Sequence, residues 1–122
     1  MGKFELKATD KGASFNLLAT NGQIVASSQV YKSVRSAKAG IASVTANAPI
    51  AEIENQTEAG FTKLKCPKFE VYTDKAKKTR FRLRAKNGQI IVVGEAYETM
   101  KACLAGVASV KKNAVDAKIV EV

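Results

Sequence analysis

Residues 21–33 read NGQIVASSQVYKS and residues 87–99 read NGQIIVVGEAYET. This near-repetition decides the fold, because it marks a chain that builds one unit twice. Shifting residues 15–54 by 66 positions gives 17 identities in 40, among them Phe15 with Phe81, Leu17 with Leu83, Tyr31 with Tyr97 and Gly40 with Gly106. Ser43 matches Ser109, Asn47 matches Asn113 and Ile53 matches Ile119. Before Phe15 the offset is 65: Lys3-Phe4-Glu5 matches Lys68-Phe69-Glu70, so the second copy has one extra residue in an intervening turn. Residues 55–67, NQTEAGFTKLKCP, match neither copy, and Gly60 and Pro67 suit a linker. The division is therefore repeat one at 1–54, a linker at 55–67 and repeat two at 68–122.

Working outward from the repeated stretch, Asn21-Gly22 lies between apolar runs and predicts a two-residue type I′ hairpin turn, which needs positive φ at both positions. Before it, Phe15, Leu17 and Ala19 alternate with other residues, as do Phe4, Leu6 and Ala8, the pattern of half-buried strands joined by a turn near Asp10-Lys11-Gly12. After it, a third strand is expected over 23–29. The period then lengthens. Val34, Ala37, Ile41, Val44 and Ala48 form a helical stripe, as do Met100, Cys103, Val107, Val110 and Ala114 in the second copy. Ser33 and Thr99 stand where helix N-caps are expected. Asn47 and Asn113 stand where a left-handed C-terminal cap is expected. Gly40 and Gly106 fall mid-helix, where glycine costs about 1 kcal/mol against alanine, so their recurrence predicts a close approach between helix and sheet. PIAEIE and VDAKIVEV each end a copy as a short strand. The expectation is an α+β fold of two β3-α-β units, each with one helix covering one face of antiparallel strands. Half of a 122-residue chain is marginal alone, so the two units are expected to share one core as a single pseudo-two-fold domain over 1–122.

The Asn-Gly-Gln-Ile turn, then Tyr31 or Tyr97, then Gly-Ile/Val-x-Ser-Val-x-x-Asn-Ala, in that order and twice, resembles the YegP-like family, bacterial proteins of uncharacterised function. The resemblance spans both copies and leaves out only the linker. It implies one antiparallel sheet with helices on one face and C-terminal strands exchanged between repeats, so that residues 51–54 pair with copy two and 117–121 with copy one. It implies no catalytic residue and no cofactor. Val92, Val93 and Gly94 depart from the family pattern in copy two.

The chain carries 20 Lys and Arg against 11 Asp and Glu, a net charge of +9. Residues 1–60 contribute six basic and five acidic groups, whereas residues 61–122 contribute fourteen and six, so the excess belongs to the second half. Such a balance suits an anionic partner or serves solubility. The two cysteines, Cys66 and Cys103, form neither a disulfide framework nor a metal-ligand pattern and suit a reducing cytoplasm. The first twelve residues lack the apolar core of a secretion signal, and no apolar run has the length of a membrane span.

Histidine is absent, which removes the commonest general base. Cys103 falls on the apolar stripe and reads as a packing residue, Cys66 reads as an exposed linker thiol, and NGQ is a turn rather than a phosphate-cradling loop. Tyr31 and Tyr97 are expected to pack their rings and to bond their hydroxyls to backbone, the alternative being to stack a ligand. Ile90 and Val92 should occupy one face of their strand and Ile91 and Val93 the other, the second face being covered by the exchanged strands. The sharpest asymmetry between copies is KAKKTRFRLRAK, residues 75–86. On a strand, Arg80, Arg82, Arg84 and Lys86 share one face, turned to water, while Phe81, Leu83 and Ala85 share the other; copy one has Ser14, Asn16, Leu18 and Thr20 there. Lys78, Arg80, Arg82, Arg84 and Lys86 are the candidate anion-binding residues, with Tyr72 as a stacking group; no metal or cofactor ligands are expected. The sequence thus points to a non-enzymatic, monomeric cytoplasmic protein with a structural or protein-interaction role. The alternative is binding of nucleic acid or another polyanion through the basic strand, although a solvated charged face is the commoner use of such a run.

Overall fold

The computed structural model describes residues 2–122. Repeat one contributes β1 (Lys3–Thr9), β2 (Gly12–Leu18), β3 (Ile24–Ser27), α1 (Val34–Asn47) and β4 (Glu52–Asn55). Repeat two contributes β5 (Lys68–Thr73), β6 (Thr79–Arg84), β7 (Ile90–Val93), α2 (Met100–Ala114) and β8 (Lys118–Glu121). All the strands join one eight-stranded sheet in the order β4-β5-β6-β7-β3-β2-β1-β8. The exchange is explicit: β8 runs parallel to β1 with Phe4 opposite Ile119, and β4 runs parallel to β5 with Phe69 opposite Ile53. All other pairings are antiparallel.

Alternation along the strands sends Phe4, Leu6, Phe15, Leu17, Phe69, Val71, Phe81 and Leu83 to one face, where they are fully buried. The helices lie on that face. Each reaches across the boundary between repeats: α1 rests on β1, β2 and β7, and α2 rests on β6, β3, β2 and β1. The core is continuous through both repeats. The opposite face carries no helix.

The helix starts follow the sequence. Ser33 accepts a hydrogen bond from the backbone N–H of Ser36, and Thr99 from that of Ala102, each at 3.1 Å. The mid-helix glycines mark a close approach, and what approaches is a tyrosine. A Cβ on Gly40 would stand 2.5 Å from the Tyr31 hydroxyl, and one on Gly106 would stand 2.3 Å from that of Tyr97. Each tyrosine is held by two backbone hydrogen bonds to β2 or β6, Tyr31 with Ala13 and Tyr97 with Thr79. Its ring stacks on Phe15 or Phe81 at 6.1 and 6.2 Å between centroids. The rings pack as expected. The hydroxyls, expected to bond backbone, instead sit over the glycines, and among the described residues neither makes a hydrogen bond.

Three local expectations are corrected. The hairpin turns are not of type I′: the N–H of Gly22 bonds Ala19 and that of Ala19 bonds Gln23, enclosing a three-residue loop in which Gly22 has φ 83° and Asn21 does not go positive. That is a type I turn closed by a glycine bulge. Asn21 serves it through its side chain, which accepts from the N–H of Gln23 at 3.0 Å, and Asn87 does the same for Gln89. Asn47 and Asn113 are not left-handed caps. They are helical residues of the last turn without positive φ, and each Nδ2 donates back to the carbonyl and hydroxyl of the serine four residues earlier, at 2.7–3.1 Å. The repeated Ser-x-x-x-Asn spacing is thus one helical turn of side-chain bonding. Lastly, the bulge between Leu83 and Arg84 resets β7: Ile91 and Val92 both enter the core, while Ile90 and Val93 stand opposite Arg84 and Arg82 on the uncovered face. The neighbours of β7 are β6 and β3, not the exchanged strands.

Gly106→Ala should destabilise the protein by about 1–3 kcal/mol, the range for forcing a methyl into a packed core. Tyr97→Phe in the same chain should recover part of that loss. Urea unfolding of the two single variants and the double variant measures the coupling.

Candidate functional site

Strand alternation places Arg80, Arg82 and Arg84 on the uncovered face, as the sequence predicts. They do not simply face water. Arg82 and Arg84 are each about three-quarters buried, and the Nε of each donates to the same Glu70 oxygen, at 2.6 and 2.7 Å. Arg84 also donates through Nη1 to the Gly88 carbonyl at 2.7 Å. The Arg82 guanidinium lies 4.5 Å from the Tyr72 ring centre, so Tyr72 is occupied by a cation of its own chain.

Glu70 belongs to a larger network. The register β5–β6 sets Glu70 opposite Arg82, and the register β4–β5 sets Glu54 opposite Glu70. Lys68 lies between the carboxylates, with Nζ 2.6 Å from Glu54 and 3.3 Å from Glu70. These three side chains are nearly sealed from solvent, at 1% exposure for Glu54, 4% for Lys68 and 5% for Glu70. The seal is the linker. It folds back over this half of the sheet, and the N–H of Leu64 donates to Glu54 at 2.6 Å while the Gln56 side chain donates to its other oxygen at 2.7 Å. Phe61, Leu64 and Cys66 wall a cleft of about 560 Å³ above the ion pairs, with Arg82 and Arg84 on its other side.

Burial would push the Glu54 carboxyl up, but the bonds from Lys68, Gln56 and Leu64 outweigh it and hold the group at about 2. Burial would likewise push Glu70 up, and the two arginines bring it below its ordinary value. Lys68 is held above its ordinary value by the two carboxylates despite its burial. All three are charged at neutral pH, and each is matched. Burial pushes the Cys103 thiol up to about 11, which leaves it a packing group.

The remaining candidate cations are distributed differently. Lys78 pairs with Glu98 across an exposed contact. Lys86 is exposed in the hairpin turn that follows β6. Arg80 donates through Nη2 to the Gly94 carbonyl at 3.1 Å and stands 3.9 Å from Asp74. The structure therefore brings Arg82 and Arg84 together around Glu70 and leaves Lys78, Arg80 and Lys86 apart from that cluster. Sequence reasoning missed Glu54, Lys68 and Glu70. The signal available was a departure between copies: Glu54 corresponds to Val120 under the same offset that aligns the arginines with neutral residues.

Among the described residues, no group of three or more His, Cys, Asp or Glu side chains is arranged to hold a metal ion. No described helix is long and apolar enough to cross a membrane.

A single sheet built from two copies of one unit, with its edge strands exchanged between them, defines a tandem-repeat protein. The chain belongs to the family described as Domain of unknown function (DUF1508), whose model matches it twice, over residues 6–55 and 74–121. It is 39% identical over 114 residues to the UPF0339 protein YegP of Yersinia pestis, covering 93% of this chain and 88% of that one. A UPF0339 protein of Treponema denticola is 62% identical over 55 residues, which is 45% of this chain and 95% of that shorter relative. The solution NMR structure of yegP from E. coli, described as of unknown function, superposes with a TM-score of 0.78 at 34% identity, covering 98% of this chain and 91% of that one. The UPF0339 protein SO3888 of Shewanella oneidensis gives the same TM-score at 28% identity.

Glu54→Gln should destabilise the protein by about 3 kcal/mol, because it leaves Lys68 buried with one carboxylate fewer. The native carboxyl also titrates below its unfolded value, so its stabilising contribution is complete at neutral pH and falls away as pH drops from about 4.5 towards about 2. Thermal melts across that range should show a steeper acid loss in the parent protein than in Glu54→Gln.

Proposed function

We propose that this chain is a non-catalytic cytoplasmic module that works by presenting the uncovered face of its sheet to a protein partner. The observation that carries this reading is that the charged cluster around Glu70 on that face is taken up internally, with Arg80 outside it. Glu54 and Glu70 are taken up by Lys68, Arg82 and Arg84, and Lys78 by Glu98. Matched carboxylates are poor acids and bases at neutral pH, and matched arginines are poor phosphate ligands, whereas a rigid face of fixed ion pairs and apolar residues suits protein contact. The half built by repeat one carries Ser14, Asn16 and Leu18, and Asn16 pairs with Ser27, which in turn pairs with Val93. The same reading takes the chain as a monomer, since the internal pseudo-symmetry already supplies what two single-repeat chains would supply to each other.

Binding of nucleic acid or another polyanion is the second reading. It is favoured by the concentration of positive charge in residues 61–122, and it would use Lys78, Arg80, Arg82, Arg84 and Lys86. It requires the arginines to keep Glu70 and still offer their outer nitrogens to phosphate.

The two readings separate in one set of experiments. A partner retained by the parent protein should be lost on Asn16→Glu, on the uncovered face, and kept on Lys38→Glu, on a helix. Oligonucleotide binding that weakens steeply with salt, and that falls on Lys86→Glu, would favour the second reading, since cation release drives such binding and Lys86 can be changed without unpairing Glu70. Turnover of a metabolite abolished by a single substitution in the folded protein would overturn both.

A further inference from the structure

The two repeats meet at a narrow seam. Strands β3 and β7 are paired only at Ser27 and Val93, after which each chain turns away towards its helix. Beside that pair the seam opens into a cleft of about 450 Å³, which lies in the range of small-ligand sites. Ile90 and Val93 give it an apolar side, Ser27 and Gln29 a neutral polar side, and Arg80 and Glu95 a charge of each sign.

Arg80 differs from the other arginines of its strand. Arg82 and Arg84 each donate to a carboxylate, whereas the one hydrogen bond of Arg80 goes to the Gly94 carbonyl. Its distance of 3.9 Å to Asp74 is too long for a hydrogen bond. Its Nε is the sole buried side-chain nitrogen or oxygen without a partner among the described residues. A buried donor left unpaired costs about 1–3 kcal/mol, and the repeat fold does not require it, since repeat one has Ser14 at this position. The side chain keeps 35% of its surface exposed and lines the cleft.

We propose that this cleft binds small aliphatic monocarboxylates, with the carboxylate on Arg80 and the hydrocarbon body against Ile90 and Val93. The planar guanidinium matches a carboxylate through paired N–H donors. The apolar side rewards a short branched chain. Glu95 at the rim opposes a second negative charge, which disfavours phosphate and dicarboxylates. This site is independent of the reading of the uncovered face as a protein-docking surface.

Titration of the 15N-labelled protein with isovalerate, isovaleramide and inorganic phosphate tests the assignment. Isovalerate should shift the amide signals of residues 27–29 and 90–95 saturably, and the other two should not. Arg80→Gln should weaken isovalerate binding by at least about tenfold, while the remainder of the spectrum reports that the fold is intact. Should Arg80→Gln not fold, Arg80→Lys keeps the charge and the stem, and it should still weaken binding because it lacks the forked donor. Glu95→Gln should tighten binding about two- to fivefold through loss of a like charge. No saturable shift, equal shifts from the amide or from phosphate, or unchanged affinity in a folded Arg80 variant would overturn the proposal.

Discussion

The parallel ladders β8–β1 and β4–β5 are what the rest of the structure depends on. Each is made from the last strand of one repeat and the first strand of the other. Without them β1 and β5 would be bare sheet edges, and Phe4 and Phe69, fully buried beside Ile119 and Ile53, would stand at the margin of the core. A strand edge offers unpaired N–H and C=O groups to any neighbour. Exchange satisfies those groups within the chain and ties the repeats together at both ends. The central seam then needs only the single pair Ser27–Val93. Cohesion comes from the flanks of the sheet and from helices that straddle its middle, and this leaves room for a cleft beside the seam.

Within each repeat, one small lock recurs. Tyrosine is tied to the second strand by backbone hydrogen bonds, stacked on a phenylalanine and roofed by a helix glycine. The glycine weakens its helix, and the loss is offset because the tyrosine ring fills the space a methyl would take. The pairing of Tyr31 with Gly40 and of Tyr97 with Gly106 explains why both residue types reappear at the same offset.

The repeats diverge on the uncovered face, where the fold makes fewer demands. In repeat two, the first two strands and the strand exchanged from repeat one carry Glu54, Lys68, Glu70, Arg82 and Arg84, and the linker shields them from water. In repeat one, Lys3 and Glu5 stay partly exposed, and Val120 takes the place of Glu54. Buried ion pairs are poor sources of net stability but severe about geometry, because an unmatched member is costly. The network therefore fixes the path of the linker and the register of the exchanged strand β4.

Much of the fold was legible because its causes are local and repeated. Alternation gave the strands, the three-and-four spacing gave the helices, and Ser33 and Thr99 gave their starts. The exchange of terminal strands came only with the family resemblance, since no local pattern specifies which strand lies beside another. The finer errors have the same root. Asn21 suits a type I′ turn in isolation, but the bulge that closes the loop is set by strand pairing; Asn47 suits a cap, but it stays helical and its side chain bonds Ser43 one turn back. The arginine row was legible as a row, and its partner was not, because Glu70 lies twelve and fourteen positions from Arg82 and Arg84 on another strand. By itself the sequence determined the duplicated unit, its elements and the face most strand side chains take, β7 with its neighbouring bulge excepted, because these depend on neighbours within a few residues. Tertiary structure alone decided which charges meet, which are shielded by the linker and which arginine is left without a hydrogen-bonded carboxylate, because those outcomes depend on the lateral order of strands brought together from distant parts of the chain.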